Sequence, residues 1–359
     1  MLFKQFTLKT HQLRNRLVMA PMTRNRATED NTPNALMAEY YRQRADVGLI
    51  ITEGTSPSPN GLGYARIPGL FNEQHVAGWR LVTDAVHARG AHIFVQLMHT
   101  GRASHVDNLP EGARVVGPVA EAMNGGIYTD TAGMQPASTP HALSEEEIAA
   151  TVAEYAHSAT LASEAGFDGI ELHGANGYLI EQFLNPNVNT RTDAYGGSID
   201  RRNRFALEVA RATAAAIGAD RVGIRLSPYG AFNHTGAFDD VKPQYEALAG
   251  ELGTLRLAYL HLVDHSSMGA PTVPARFKAA LRTAFAGTYI ASGGFDLGAA
   301  DKIVREGEAD LVAFGRPALA NPDFATRLKK GIPLNAPDSD TFYTAGEHGY
   351  TDYPPAMAS

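Results

Sequence analysis

Gly169-Ile170-Glu171-Leu172-His173-Gly174-Ala175-Asn176-Gly177-Tyr178 reads as a buried strand that breaks into a glycine-punctuated turn. Ile170 and Leu172 alternate with Glu171 and His173, so one face is apolar and the other carries two ionisable groups. Upstream, Ser144-Glu145-Glu146-Glu147 has the spacing of a capping box, and the helix it opens is expected to reach about Ala165 before Gly166 ends it. Helix, strand and polar turn in this order form one unit of a parallel β/α repeat.

The same rhythm recurs along the chain. Residues 17–19, 48–53, 92–97, 169–173, 222–227, 259–263, 289–292 and 311–314 are short apolar runs, each followed by a loop and a helical pattern. Eight such runs predict a (β/α)8 TIM barrel, α/β in class, as one domain over 1–359, with functional groups just after each run. Residues 98–143 are too long and too rich in Gly and Pro for a simple loop, and are expected to form a cap insertion with its own hairpin over the C-terminal mouth. Asn321-Pro322 predicts the start of the last barrel helix, and Lys329-Lys330-Gly331 its end. The aromatics Phe342, Tyr343, Tyr350 and Tyr353 are expected to dock the tail on the body.

Composition narrows the function classes. With 44% hydrophobic and 19% charged residues the chain reads as soluble and globular, without a membrane-spanning run. The absence of cysteine rules out disulfides, thiolate metal sites and cysteine nucleophiles. A net charge of −7, spread along the chain, argues against nucleic acid as partner. The first residues lack the pattern of a secretory signal, so the expected location is cytoplasmic.

Three groups of residues suit one mouth. Gly294 in Ser292-Gly293-Gly294-Phe295, with Gly315 and Arg316 in Phe314-Gly315-Arg316-Pro317, offers the glycine turns and fixed cation with which barrels bind phosphate after strands seven and eight. Gln96 and Arg225 are polar residues inside apolar strands; a buried arginine needs an anion or several acceptors, and both a ligand and an ion pair with Glu171 fit. Thr23 follows Ala20-Pro21-Met22 at the end of the first run. Against these stand His173 and Asn176, two donors able to hold a carbonyl oxygen, and Tyr178, a phenol able to deliver a proton; polarised reduction of a double bond requires that combination. The lysines fall in termini, loops or helices, which disfavours Schiff-base chemistry. His99, His105, His173 and His265 are scattered, so no catalytic metal is expected.

These residues resemble the Old Yellow Enzyme family of FMN-dependent ene reductases, in its classical branch. The likeness runs through Ala20-Pro21-Met22-Thr23-Arg24, Val95-Gln96-Leu97, the block from His173 through Phe183-Leu184-Asn185-Pro186, Asn189-Thr190-Arg191-Thr192-Asp193 and Tyr195-Gly196-Gly197-Ser198 to Asn203-Arg204, then Phe314-Gly315-Arg316-Pro317 and Gly349-Tyr350-Thr351-Asp352-Tyr353-Pro354. It implies tightly bound, non-covalent FMN contacted by Pro21, Met22 and Thr23, with Gln96 and Arg225 at its pyrimidine edge and Gly294, Gly315 and Arg316 at its phosphate. It also implies ping-pong hydride transfer from NAD(P)H through flavin N5 to an activated alkene, such as an enone, enal, maleimide or nitroalkene. His173 and Asn176 would hold the substrate oxygen, and Tyr178 would protonate the α-carbon. Tyr64, Met98, Phe232 and Tyr343 would line the substrate pocket, with Met98 where many relatives have tryptophan, making that wall softer. The implied assembly is a monomer or small homo-oligomer. An FMN-barrel dehydrogenase or oxidase, and a flavin carrier or sensor without turnover, are the competing readings; a carrier has no need of Tyr178.

Overall fold

All eight apolar runs close into one parallel barrel in the computed structural model, which describes residues 1–356. The strands are β1 (Leu17–Met19), β2 (Leu49–Thr55), β3 (His92–Leu97), β4 (Gly169–Gly174), β5 (Val222–Leu226), β6 (Tyr259–Val263), β7 (Thr288–Ser292) and β8 (Leu311–Phe314). Each pairs with its successor, and β8 pairs with β1. Between and after them run helices α1 (Ala35–Gln43), α2 (Glu73–His87), α3 (Glu145–Glu164), α4 (Leu179–Leu184), α5 (Ile199–Ile217), α6 (Val241–Thr254), α7 (Ala275–Phe285), α8 (Leu297–Arg305), α9 (Arg316–Leu319) and α10 (Phe324–Lys330). No helix among the described residues is long and apolar enough to cross a membrane.

Alternation divides the strands between two cores. Outward residues such as Ile93, Val95, Ile170, Leu172, Val222 and Ile224 pack under the helices with Trp79, Tyr155 and Phe205. Inward residues Val18, Leu49, Ile51, Phe94, Tyr259, Ile290 and Leu311 fill the barrel, and Leu8 and Leu13 join them from an N-terminal hairpin, Phe6–Leu8 with His11–Leu13. Two glycines make this filling possible: a Cβ on Gly169 would lie 2.5 Å from the Phe94 ring, and one on Gly223 2.3 Å from the Tyr259 ring. Leu172 is fully buried, and its replacement by alanine removes about 2–5 kcal/mol of transfer and cavity energy.

The predicted helix boundaries are met at Ser144, whose hydroxyl accepts from the Glu147 amide while Glu147 accepts from the Ser144 amide. Asn321-Pro322 does not start α10. That helix begins at Phe324 after Asp323, because Asn321 spends its side chain bridging Pro317 and Asn335 across the preceding turn. Residues 98–143 contain an antiparallel hairpin, Gly126–Thr129 with Gly133–Pro136. The Arg191 guanidinium ties their last residue to their middle, donating to the carbonyls of Leu143 at 2.6 Å and Pro118 at 2.7 Å.

Buried guanidiniums also fasten the tail. Arg24 donates to the carbonyls of Phe342 and Gly349, Arg26 to those of Thr341, Phe342, Gly346 and His348, and Arg44 to those of Leu319 and Tyr350. Tyr350 stacks on Tyr40 at 4.0 Å with these cations beside the rings. Tyr350 and Tyr353 are buried and Phe342 half-buried, as expected, but Tyr343 stands 61% exposed. The clamp grips its neighbours' carbonyls and leaves that ring outside.

Candidate active site

The polar side chains inside the barrel form a layer above the apolar filling. Register places Gln96 beside Glu171, and His173 beside Arg225, which faces His261. Gln96 Nε2 donates to Glu171 Oε1 at 2.8 Å, leaving its own carbonyl oxygen free. The other carboxylate oxygen lies 2.8 Å from His261 Nδ1, and His261 Nε2 lies 3.1 Å from Ser292 Oγ. This separates the two readings of Arg225. Glu171 is occupied by Gln96 and His261, Arg225 has no salt-bridge partner among the described residues, and its buried Nε is unpaired. A guanidinium so placed, with burial already depressing its pKa, lacks an anion or acceptor.

At the end of β4 the backbone turns sharply. Asn176 adopts φ +60 and Gly177 φ +74, and a Cβ on Gly177 would meet the Phe232 carbonyl at 2.4 Å, so glycine is required there. The turn is held from below. Glu181 accepts from the Gly177 amide at 2.5 Å and from Ser227 Oγ at 3.0 Å, while Ser227 Oγ accepts from the Asn176 amide at 2.9 Å. Tyr245 donates to the same carboxylate, and Asn233 donates to the Asn176 carbonyl. Burial raises the Glu181 carboxyl to about 7, with these donors opposing the shift. Neither Glu181 nor Ser227 was singled out in the sequence. The signal available was an acidic residue on a short, otherwise apolar helix face.

His173 is buried, and its Nδ1 has no hydrogen-bond partner; Asn176 Oδ1 is likewise unpaired. Burial, reinforced by Arg225, holds the imidazole pKa well below 6.5, so it is neutral at pH 7. The Tyr178 ring packs edge-on to His173 at 4.9 Å and to Tyr64 at 6.1 Å. Burial raises its phenol above 10, partly offset by Tyr64 and Asn233. His173 and Tyr178 are thereby in ring contact, a neutral imidazole beside a protonated phenol, with Asn176 in the turn between them in sequence.

Thr23 is half-buried after β1. Pro21 is buried, and Met22 packs against Leu319, Ala320 and Tyr353, with its Sδ 3.5 Å from where a Cβ on Gly315 would stand. Gly294 has φ +75, and Arg316 is exposed with no salt-bridge partner among the described residues. Phe232 is half-buried, edge-on to His265 at 4.6 Å; burial lowers that histidine to about 4. Tyr64 lies with Tyr178 against Ala103, Met123, Ile127 and Ala137 of the long insertion. Met98 is 1% exposed and packs with Leu62 and Ile67 against Tyr64 and Tyr178, and Gly54 leaves room for its sulfur over the β2 backbone.

The donor set suits an anionic, planar, phosphate-bearing group. The Arg225 Nε without a partner, the free Gln96 carbonyl, the positive-φ turn at Gly294 and the unpaired Arg316 side chain together fit FMN. Comparison with known proteins agrees. Residues 1–335 match the family model described as NADH:flavin oxidoreductase / NADH oxidase family. A probable flavin mononucleotide-dependent alkene reductase of Leishmania infantum is 44% identical over 95% of this chain and 93% of its own. A chanoclavine-I aldehyde reductase of Penicillium roqueforti is 45% identical over 98% of this chain and 95% of its own. Among solved structures, morphinone reductase superposes with a TM-score of 0.94 at 43% identity, covering 99% of this chain and 96% of its own.

Proposed function

Because the chain belongs to the NADH:flavin oxidoreductase / NADH oxidase family, we propose that it is an FMN-dependent reductase of activated C=C bonds that uses NAD(P)H. One observation supports the reading: a neutral imidazole in ring contact with a protonated phenol stands at the end of β4, beside a buried guanidinium whose Nε has no partner among the described residues. FMN, when bound, would supply the hydride chemistry between nicotinamide and alkene. Arg225 and Gln96 would hold the flavin's pyrimidine edge, Pro21, Met22 and Thr23 its ring, and Gly294, Gly315 and Arg316 its phosphate.

His173 and Asn176 bind the carbonyl or nitro oxygen of an enone, enal, maleimide or nitroalkene and draw charge from its double bond. A neutral imidazole and a carboxamide perform this without a fixed charge, and each such donor is worth about a hundredfold in rate. Tyr178 keeps its proton on Oη at neutral pH and releases it only to the strongly basic α-carbon that develops opposite. Tyr64, Phe232 and the exposed Tyr343 shape the remaining walls, backed by Met98. Residues 98–143 act as a cap, their Met123 and Ile127 excluding water from behind Tyr178. We place the activity in the cytoplasm, in a monomer or small homo-oligomer, within a single domain.

The test is anaerobic. Purified yellow protein is bleached by NADH or NADPH, and colour is followed on adding cyclohexenone, maleimide or a nitroalkene. Return of colour with stoichiometric alkene loss is expected. Colour that no activated alkene restores removes the reductase reading and leaves a carrier, a sensor or a different oxidant.

A further inference from the structure

The opposite end of the barrel holds a second cluster that the reductase chemistry does not use. His11 stands at the start of the second hairpin strand, His92 at the start of β3, Asp168 just before β4, and His87 at the end of α2. Asp168 precedes His173 by five residues, so along β4 the two lie about 16 Å apart at ~3.3 Å per residue. His11, His92 and Asp168 each present one ligand atom, and these atoms lie within 4.8 Å of one another.

Hydrogen bonding accounts for only part of the cluster. His92 Nδ1 lies at hydrogen-bond distance from Asp168 Oδ1, 3.2 Å, whereas His11 Nδ1 lies 3.8 Å from the same oxygen. The second distance is too long for a hydrogen bond, and His11 Nε2 is itself buried without a partner. Tetrahedral zinc with bonds of about 2.0–2.2 Å sets its ligand atoms about 3.4 Å apart, between the two observed values. The other carboxylate oxygen is already oriented, accepting from the Ile93 amide at 2.8 Å and lying 2.9 Å from His87 Nε2, the arrangement that outer partners give a metal-bound carboxylate. Side-chain exposures of 16%, 25% and 14% for His11, His92 and Asp168 leave a path for an ion.

We propose that His11, His92 and Asp168 bind a divalent transition metal of the zinc type, which clips the N-terminal hairpin to β3 and β4. The set of two imidazoles and one carboxylate suits zinc, nickel or copper rather than magnesium or calcium. Arg221 is an opposing charge beside His11. Its Nε donates to the Asp168 carbonyl and its Nη2 to that of Phe167, and Asp220 offsets it at His11. Conspicuous groups at this end of a barrel act on stability, so the ion is structural.

The holoenzyme is dialysed against chelator and titrated with Zn2+ by calorimetry, with melting followed in parallel. One saturable equivalent and a raised melting temperature are expected, with tetrahedral Co2+ absorption on substitution. His11→Ala and Asp168→Asn should each lose that equivalent while keeping flavin content and alkene turnover. His87→Ala should weaken it by about 10–100-fold. His11 lies on the surface hairpin, so its variant tests the site even if Asp168→Asn fails to fold. Absence of saturable binding in the unmodified protein, or an equivalent of unchanged affinity in His11→Ala, overturns the proposal. Both results leave the alkene-reductase reading untouched.

Discussion

Glu181 is the group on which the substrate-binding turn depends, and its removal has a calculable effect. In Glu181→Ala, the Gly177 amide, Ser227 Oγ and Tyr245 Oη lose their shared acceptor. An unsatisfied buried donor costs about 1–3 kcal/mol. The vacated volume admits water, so the low end applies, and three donors give about 3 kcal/mol of lost stability. The functional loss follows from position. Ser227 fixes the Asn176 amide and, with Asn233 on the Asn176 carbonyl, holds that residue in the left-handed region. A displacement of ~1 Å at a positioning group costs about a hundredfold. Glu181→Gln keeps one acceptor oxygen and should lose about 1 kcal/mol and much less rate. The assay is the anaerobic oxidative half-reaction with cyclohexenone, alongside phenol affinity read from the flavin spectrum and thermal melting. Reduction by NAD(P)H serves as the internal control and should change little. A Glu181→Ala protein that is destabilised yet binds phenol and turns over alkene normally would refute the link from carboxylate to Asn176. Unchanged melting would refute the donor accounting itself.

Further outcomes follow from the same geometry. Tyr178→Phe should slow alkene reduction while leaving reduction by NAD(P)H largely intact; an equal fall in both half-reactions, measured by stopped flow, is incompatible with proton donation. His173→Ala or Asn176→Ala should lower turnover about a hundredfold and weaken phenol binding together, as titration would show. Arg225→Met should release FMN on dilution, because it removes the unpaired guanidinium, and fluorescence of the freed flavin measures this. Burial raises both Glu53 and Glu181 to about 7 from 4.5. The folded protein therefore holds these protons longer than the unfolded chain. Their contribution is present below about pH 4.5 and is lost as pH rises through 7, at about 3 kcal/mol for each group. Melting across this range should show a fall that is shallower in Glu53→Gln; an identical slope would show that Glu53 is not the titrating group.

Fold and site were legible in the sequence to different depths, for physical reasons. Strand positions such as 92–97 and 259–263 were readable because apolar alternation is a local property, and the capping box at Ser144 because its partners are three residues apart. Asn321-Pro322 misled because Asn321 had an equally local competitor, the turn to Pro317 and Asn335. Met98 is expected on the pocket wall by resemblance, and its packing against Tyr64 and Tyr178 over Gly54 of another strand has no local pattern in the chain. His173, Asn176 and Tyr178 were recognisable because they follow one strand.

What the sequence determined by itself was the barrel, the identity of the polar groups near its mouth and the likeness to flavin reductases, since these rest on periodicity and on motifs contiguous in the chain. What only the tertiary structure decided was partnership. Glu171 pairs with His261, 90 positions away, and so leaves Arg225 without an anion; Glu181 reaches Ser227, 46 positions away, to hold Asn176. His11, His92 and Asp168 meet only when the hairpin seats under the barrel. Such contacts depend on barrel closure and strand register, which bring distant residues side by side without leaving a local pattern in the chain.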